Sequence, residues 1–293
     1  MSMKDIRLGI SPCPNDTFIF YHLLKKQRLP FKIEPVIADV EELNRLVLAR
    51  ELDVSKVSFA LAGRVIPEYL VLESGAALGR GCGPLVLTRG DVSLDELAKA
   101  RVAIPGKNTT AALLFRLFAP QVKNLVEMPF NQIVDAICAK KVDAGCVIHE
   151  TRFTYQEFGL KMLCDLGKWW EETTSMPIPL GGIIAKRSLP RAQLEILQNG
   201  IKTSMAFAEE NFHEVQPFIA GLAQEISPQV QKKHIGLYVN EFSRDLGEEG
   251  RAAVLELFRR AAEIRLMPND SMDEAPIFLS QLDEEKDTKG RDK

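Results

Sequence analysis

Strand-like and helix-like segments alternate along this chain from Ile6 to about Lys186, and then the alternation stops. "IRLGI" (6–10) is a short apolar run, and "TFIFYHLLKK" (17–26) has helical spacing. "FKIEPVIA" (31–38) is strand-like again, and "VEELNRLVLAREL" (40–52) is helical again. Strands separated by helices run parallel in one sheet and carry the helices on its faces. The pattern therefore predicts an α/β architecture with a largely parallel sheet. From Arg191 to about Arg265 the sequence reads as nearly all helix, and the charged tail "DEEKDTKGRDK" reads as disordered.

Local signals refine this outline. The segment Ser11–Asp16 ends the first strand, with Asn15 or Asp16 as N-cap of the helix over 17–26. "DVSKVSFA" (53–60) is a short strand and loop, and "SGAALGRGCGP" (74–84) reads as a glycine-rich loop. Ser93 and Glu96 have capping-box spacing. "RVAIPG" (101–106) is a strand, and "NTTAALLFRLF" (108–118) starts a helix capped by Asn108 or Thr109. "MPFNQIVDAICAKK" (128–141) is helical, and "VDAGCVI" (142–148) is a strand that ends directly at His149.

Residues 43–59 align without a gap on 133–149. Arg50 matches Lys140, Asp53 matches Asp143, and Phe59 matches His149, each copy reading as helix, Asp-containing turn and strand. Two similar lobes would share a cleft at the carboxyl ends of these strands, where open α/β sheets bind ligands. Chance likeness of two helix-turn-strand units is the plainer alternative. Two chain crossings are expected, near "PLVLTRG" and "GGIIAKR", and two crossings make a hinge. This divides the chain into a larger lobe (1–87 and 187–280) and a smaller one (88–186), with 281–293 as tail.

Composition bears on partners. The net charge of -3 has no basic concentration, which argues against nucleic acid. No run approaches the roughly 20 apolar residues of a membrane span, and the N-terminus lacks an apolar signal region, so a cytoplasmic location is expected. Five cysteines without a CxxC pair read as thiols rather than a disulfide framework, and four scattered histidines spell no metal site.

Four places could carry chemistry. His149 leaves a buried strand at the expected cleft, and its side chain exchanges protons near neutral pH. Thr109 and Thr110, followed by Ala111, open a helix whose first-turn N–H groups could cradle a carboxylate or phosphate, with plain capping as the alternative. Lys56 in "VSKVSFA", beside Val57 and Ser58, either pairs with an acidic ligand or faces solvent from an edge strand. Cys13 lies between two prolines, either as a thiol activated by the helix that follows or as a small packing residue. Asn15 and Asp16 are the better ligand candidates of that turn.

Seven stretches in order, "LGISPCPNDTFIFY", "AALGRGCGPLV", "VAIPGKNTTA", "GCVIHETRFTY", "DLGKWWE", "PLGGIIAKR" and "YVNEFSRDLGEEGRAAV", resemble the 1,4-dihydroxy-6-naphthoate synthases of menaquinone biosynthesis by the futalosine route. The resemblance covers about Ile6 to Phe258. It implies a two-lobed fold like type II periplasmic binding proteins, with a hinge and an interlobe cleft. It also implies a lyase reaction on cyclic dehypoxanthinyl futalosine, a small aromatic carboxylate, without redox cofactor or metal. On that resemblance His149 is the proton acceptor, and Lys56, Val57, Ser58, Thr109, Thr110 and Ala111 touch substrate. Cys146-Val147 and Lys107-Asn108 depart mildly from the family pattern without removing a needed group. The rivals are a chorismate dehydratase-like sister enzyme, a non-catalytic solute-binding protein for a small carboxylate, and a ligand-sensing regulatory domain. Oligomeric state is open, a homodimer being one option.

Overall fold

The computed structural model describes residues 3–149, 151–223, 227–267 and 275–282. Glu150 and residues 283–293 of the charged tail lie outside the described residues. Ten strands form two sheets of five: β1 Ile6–Ile10, β2 Ile33–Ile37, β3 Val54–Ser58, β4 Tyr69–Gly79, β5 Leu85–Thr88, β6 Val102–Ile104, β7 Leu125–Glu127, β8 Ala144–Val147, β9 Lys161–Asp165 and β10 Ile178–Lys186. The first sheet runs β2-β1-β3-β10-β4 and the second β7-β6-β8-β5-β9.

The two sheets share one plan. In each, three neighbouring strands are parallel, and the fourth position holds an antiparallel strand, β10 in the first and β5 in the second. The sequence repeat is real in three dimensions. Arg50 and Lys140, aligned positions, both take left-handed backbone, at φ 62° and 58°. Asp53 accepts from the Arg7 backbone N–H at 3.0 Å, and Asp143 accepts from that of Arg101 at 2.8 Å. Each Asp N–H donates back to the same residue's carbonyl, at 3.1 and 2.9 Å. The carboxylates thus tie the start of β3 to β1 and the start of β8 to that of β6.

Sheet membership moves the expected lobe boundaries. Strand β5 belongs to the second sheet and β10 to the first, so the chain crosses at 80–84 and 175–177 rather than at 87/88 and 186/187. The apolar strands on either side of each crossing pair within a sheet, which the periodicity did not reveal. Residues 74–79, expected as loop, continue β4, which is buried along its whole length. Their glycines mark close approach instead: a Cβ on Gly75, at φ 87°, would meet the Ile183 side chain at 2.7 Å.

The first helix starts earlier than expected, spanning Pro14–Lys25 with Cys13 at its N-cap. Pro14 fits the first helical position because its fixed φ is helical and its missing N–H would be unpaired there anyway. Asn15 and Asp16 therefore lie inside the first turn, and the Asp16 carboxylate reaches back to the Ser11 N–H and hydroxyl, at 3.2 and 2.7 Å. Thr109 is an N-cap as expected, accepting from the Ala112 N–H.

Helices Arg191–Glu210, Phe212–Leu222, Pro228–Tyr238, Glu241–Arg244 and Gly247–Glu263 follow β10, with no further strand among the described residues. One core joins β1 and the first helix to the helix Arg191–Glu210, with Phe18, Phe20, Leu23, Leu197 and Met205 among its buried members. A second runs from Phe59 and Tyr69 to Trp170 and Phe258, passing from one sheet to the other. A third, with Leu87, Ile133, Ile137 and Val147, belongs to the second sheet. Among the described residues no helix is long and apolar enough to cross a membrane.

The paired aspartates make a direct test. Asp53→Ala and Asp143→Ala should each lower the unfolding free energy by about 1 kcal/mol, the worth of a lost hydrogen bond. Their effects should add in the double variant, as expected for sites in separate sheets. Urea denaturation of the three variants checks this.

Candidate active site

The carboxyl ends of β3 and β8, the N-termini of the helices Pro14–Lys25 and Thr110–Phe118, and the helix Pro228–Tyr238 converge on one cavity. It encloses about 660 Å³ of empty space, part of it open to solvent. Nine of the ten residues singled out from the sequence line it, Asn15, Asp16, Lys56, Val57, Ser58, Thr109, Thr110, Ala111 and His149, while Cys13 does not.

His149 follows β8 by one residue and has φ 60°. Left-handed backbone is uncommon outside glycine and persists where surrounding structure imposes it, often at functional sites. Its Nδ1 lies 3.2 Å from the Cys13 sulfur, across the cleft in the other lobe. Its ring packs on Phe130, centroids 4.6 Å apart. The Nε2 atom is buried with no hydrogen-bond partner among the described residues. If Nδ1 carries the proton and donates to sulfur, Nε2 presents a lone pair to the cavity and can accept a proton. If the thiol donates, Nε2 is instead a donor. Proton acceptance requires the first arrangement.

Lys56 does not face solvent from an edge. Strand β3 lies between β1 and β10, all five of its residues are buried, and the ammonium sits 3.0 Å from Asp16 Oδ1 and 3.0 Å from the Gly75 carbonyl. Asn15 donates its amide N–H to the same Asp16 oxygen at 2.9 Å. Ser58 is held through Asn44, which accepts from the Ser58 N–H at 3.0 Å and donates to its hydroxyl at 3.2 Å.

The two threonine hydroxyls are already engaged. Thr109 donates to the Gly106 carbonyl at 2.7 Å, and Thr110 donates to the Leu180 carbonyl at 2.6 Å while accepting from the Ala60 N–H. What this helix end offers a ligand is its backbone, since first-turn N–H groups have no acceptor within the helix. Arg152, next to the histidine segment, is likewise committed, to the Gly83 carbonyl and to Asp165 at 3.2 Å.

Several site residues carried no readable signal. Glu41 is an ordinary first-turn acid by sequence. In the fold it is buried and accepts from the Asn108 backbone and side chain, at 3.2 and 2.7 Å, joining the two lobes. Burial pushes its carboxyl above the usual range, against the hydrogen bonds from Asn44 and Asn108. His234 and Tyr238 line the cavity from the C-terminal helices, where nothing in "KKHIGLY" set them apart. Burial pushes the Cys82 thiol up to about 12 and that of Cys146 higher still, so neither is a nucleophile near neutral pH. Among the described residues no three His, Cys, Asp or Glu side chains converge as a metal site requires.

A family model described as menaquinone biosynthesis matches residues 6–263. The chain belongs to that family. Its relatives include the 1,4-dihydroxy-6-naphthoate synthase of Streptomyces coelicolor, 46% identical over 275 residues, covering 92% of this chain and 96% of the relative. The synthase of Thermus thermophilus is 45% identical over 260 residues, 88% of this chain and 94% of the relative. Among solved structures, a protein of Archaeoglobus fulgidus superposes with a TM-score of 0.85 at 34% identity, covering 90% of this chain and 98% of that one. The ligand-binding component of an ABC-type import system from Staphylococcus aureus gives 0.66 at 15% identity, over 93% and 97%. The alkanesulfonate-binding protein of Xanthomonas axonopodis gives 0.65 at 16%, over 90% and 94%. The last two establish the architecture: a two-lobed, periplasmic-binding-protein-like fold. Family membership ties that architecture to an enzyme of menaquinone biosynthesis.

The Cys13–His149 contact separates two roles for the thiol. A serine at 13 can still accept from Nδ1, so Cys13→Ser should keep turnover close to the parent. Cys13→Ala should lower kcat by about tenfold, the worth of one orienting hydrogen bond. Complete loss in both folded variants, measured by steady-state naphthoate formation, would make the sulfur a nucleophile.

Proposed function

We propose that this protein is a carbon–carbon lyase that converts cyclic dehypoxanthinyl futalosine to 1,4-dihydroxy-6-naphthoate, with His149 as proton acceptor. The observation that carries this reading is that His149 lines the cavity and that its buried Nε2 has no hydrogen-bond partner among the described residues. Relatives named for that product, at 45–46% identity over about nine-tenths of the chain, support the choice of substrate.

The substrate's aryl carboxylate is assigned to the N-terminus of the helix Thr110–Phe118, where the N–H groups of Thr110 and Ala111 and the helix dipole favour an anion. Lys56 keeps a third N–H beyond those used by Asp16 and Gly75, and Ser58 keeps its hydroxyl proton, so both can donate to substrate oxygens. Asn15 and Asp16 act chiefly by fixing Lys56. Val57 supplies apolar wall.

In this reading His149 Nε2 takes a proton from the sugar-derived ring. The carbon–carbon bond to the three-carbon fragment then breaks, its electron pair moves toward the ring carbonyl, and the proton is returned. No oxidant is consumed, since substrate equals naphthoate plus fragment. Aromatisation supplies the driving force. The protein's task is to orient the substrate, exclude water and hold the proton near neutral pH. A cleft with this fold inside a family of biosynthesis enzymes fits that task better than it fits transport.

Incubating the purified protein with cyclic dehypoxanthinyl futalosine should yield the naphthoate by mass spectrometry. His149→Asn should lower turnover by at least about 10³-fold, at the scale of losing a proton-transfer group, while still binding substrate in calorimetry. Binding without product in the parent protein would favour a solute-binding role. Turnover of chorismate instead would favour the sister dehydratase. Near-parental turnover by folded His149→Asn would remove the proton-acceptor assignment.

A further inference from the structure

A second imidazole stands on the cavity wall. His234 lies on the helix Pro228–Tyr238 of the C-terminal helical layer, is 1% exposed, and lines the same cavity as His149. Its ring is 6.3 Å from that of His149 at an interplanar angle of 23°, and 4.6 Å from the ring of Tyr238. Among the described residues neither of its ring nitrogens has a hydrogen-bond partner.

That is a costly arrangement for a core histidine. A neutral imidazole has one donor and one acceptor, and burying each unpaired forfeits the hydrogen bonds both would make in water. Buried polar groups in native proteins are nearly always paired, by protein, water or ligand. A packing role would be filled more cheaply by leucine, or would show a carbonyl or hydroxyl of the chain against one nitrogen. His234 shows neither, and it opens on the cavity that holds the one unpaired nitrogen of His149.

We propose that His234 is a substrate-contacting residue, its neutral imidazole hydrogen-bonding a hydroxyl or carbonyl oxygen of the sugar-derived part of the substrate beside His149. The inference rests on the reading of this cleft as the site of that reaction. A hydroxyl matches an imidazole that both donates and accepts, whereas a carboxylate only accepts and is better met by the helix end at Thr110. Burial, reinforced by the neighbouring His149 and the Lys56 ammonium, pushes His234 well below the ordinary histidine value. It therefore stays neutral where His149 is required to exchange a proton. Two adjacent imidazoles divide the work. His149 moves the proton, and His234 holds and polarises the oxygen on which charge builds as the bond breaks.

The test compares His234→Leu and His234→Asn with the parent protein, by naphthoate kinetics and thermal melting. His234→Leu should lower kcat/KM by about 10²-fold or more, as loss of a charge-stabilising donor does. His234→Asn keeps an amide donor and acceptor and should recover about tenfold of that loss, again one hydrogen bond's worth. Both variants should melt at or above the parent temperature, because no protein hydrogen bond is removed. Parental turnover with an unchanged kcat/KM in His234→Leu would overturn the assignment, as would a fall in melting temperature that tracks the activity loss in both variants. Absence of naphthoate from the parent protein itself would instead remove the reaction on which the inference stands.

Discussion

The Lys56 ammonium is buried 3.0 Å from the Asp16 carboxylate, and the shape of the cleft follows from that pair. An isolated charge at that depth would cost several kcal/mol, so the two groups must meet. Lys56 belongs to a central strand and Asp16 to the first turn of the first helix, and their meeting fixes where that helix begins. Asp16 also accepts from Ser11 and Asn15, which locks the turn between strand and helix. That turn carries Cys13, and Cys13 is the first lobe's contact with His149. One buried ion pair inside a lobe thus sets the position of a catalytic candidate in the other.

Besides the apolar core that the two sheets share, polar contacts hold the second lobe against the first. Glu41 receives both N–H groups of Asn108, Arg64 donates to the Asn108 side-chain oxygen at 2.7 Å, and Thr110 donates to the Leu180 carbonyl. Arg45 pairs with Glu127 at 2.7 Å farther out. Gly106, at φ 138°, permits the closest of these approaches, since a Cβ there would meet the Glu41 carboxyl at 2.5 Å. These contacts add polar bonds to the apolar core that passes from one sheet to the other. They cross between lobes whose described chain passes from one sheet to the other at 80–84 and 175–177, the geometry of a hinge.

Much of this was readable in the sequence, for physical reasons. The strand–helix alternation reports burial on sheet faces, and the repeat of 43–59 in 133–149 reports one backbone plan used twice. His149 was visible because a strand-like run ends on it. The antiparallel strands β5 and β10 were not visible, because an apolar strand carries no mark of direction or of its partner sheet. Glycines at 74–84 looked like a loop, although at Gly75 they allow close packing within a strand. The sequence left Lys56 open between an acidic ligand and solvent, because the acid that neutralises it is forty residues away in sequence. Glu41 and His234 act through distant neighbours, Asn108 and His149, so no local pattern could mark them.

The central claim is geometric: the substrate lies with its carboxylate on the helix end at Thr110 and Ala111 and its sugar-derived ring against residue 149. A crystal structure of the His149→Asn variant soaked with unreacted cyclic dehypoxanthinyl futalosine tests it most directly. The account predicts the carboxylate within hydrogen-bond distance of the Thr110 and Ala111 N–H groups. It also predicts the reacting ring within about 3–3.5 Å of the residue 149 side chain, the separation of a near-attack arrangement. A substrate bound the other way round, with its carboxylate toward His234 and its sugar-derived ring away from residue 149, would contradict it.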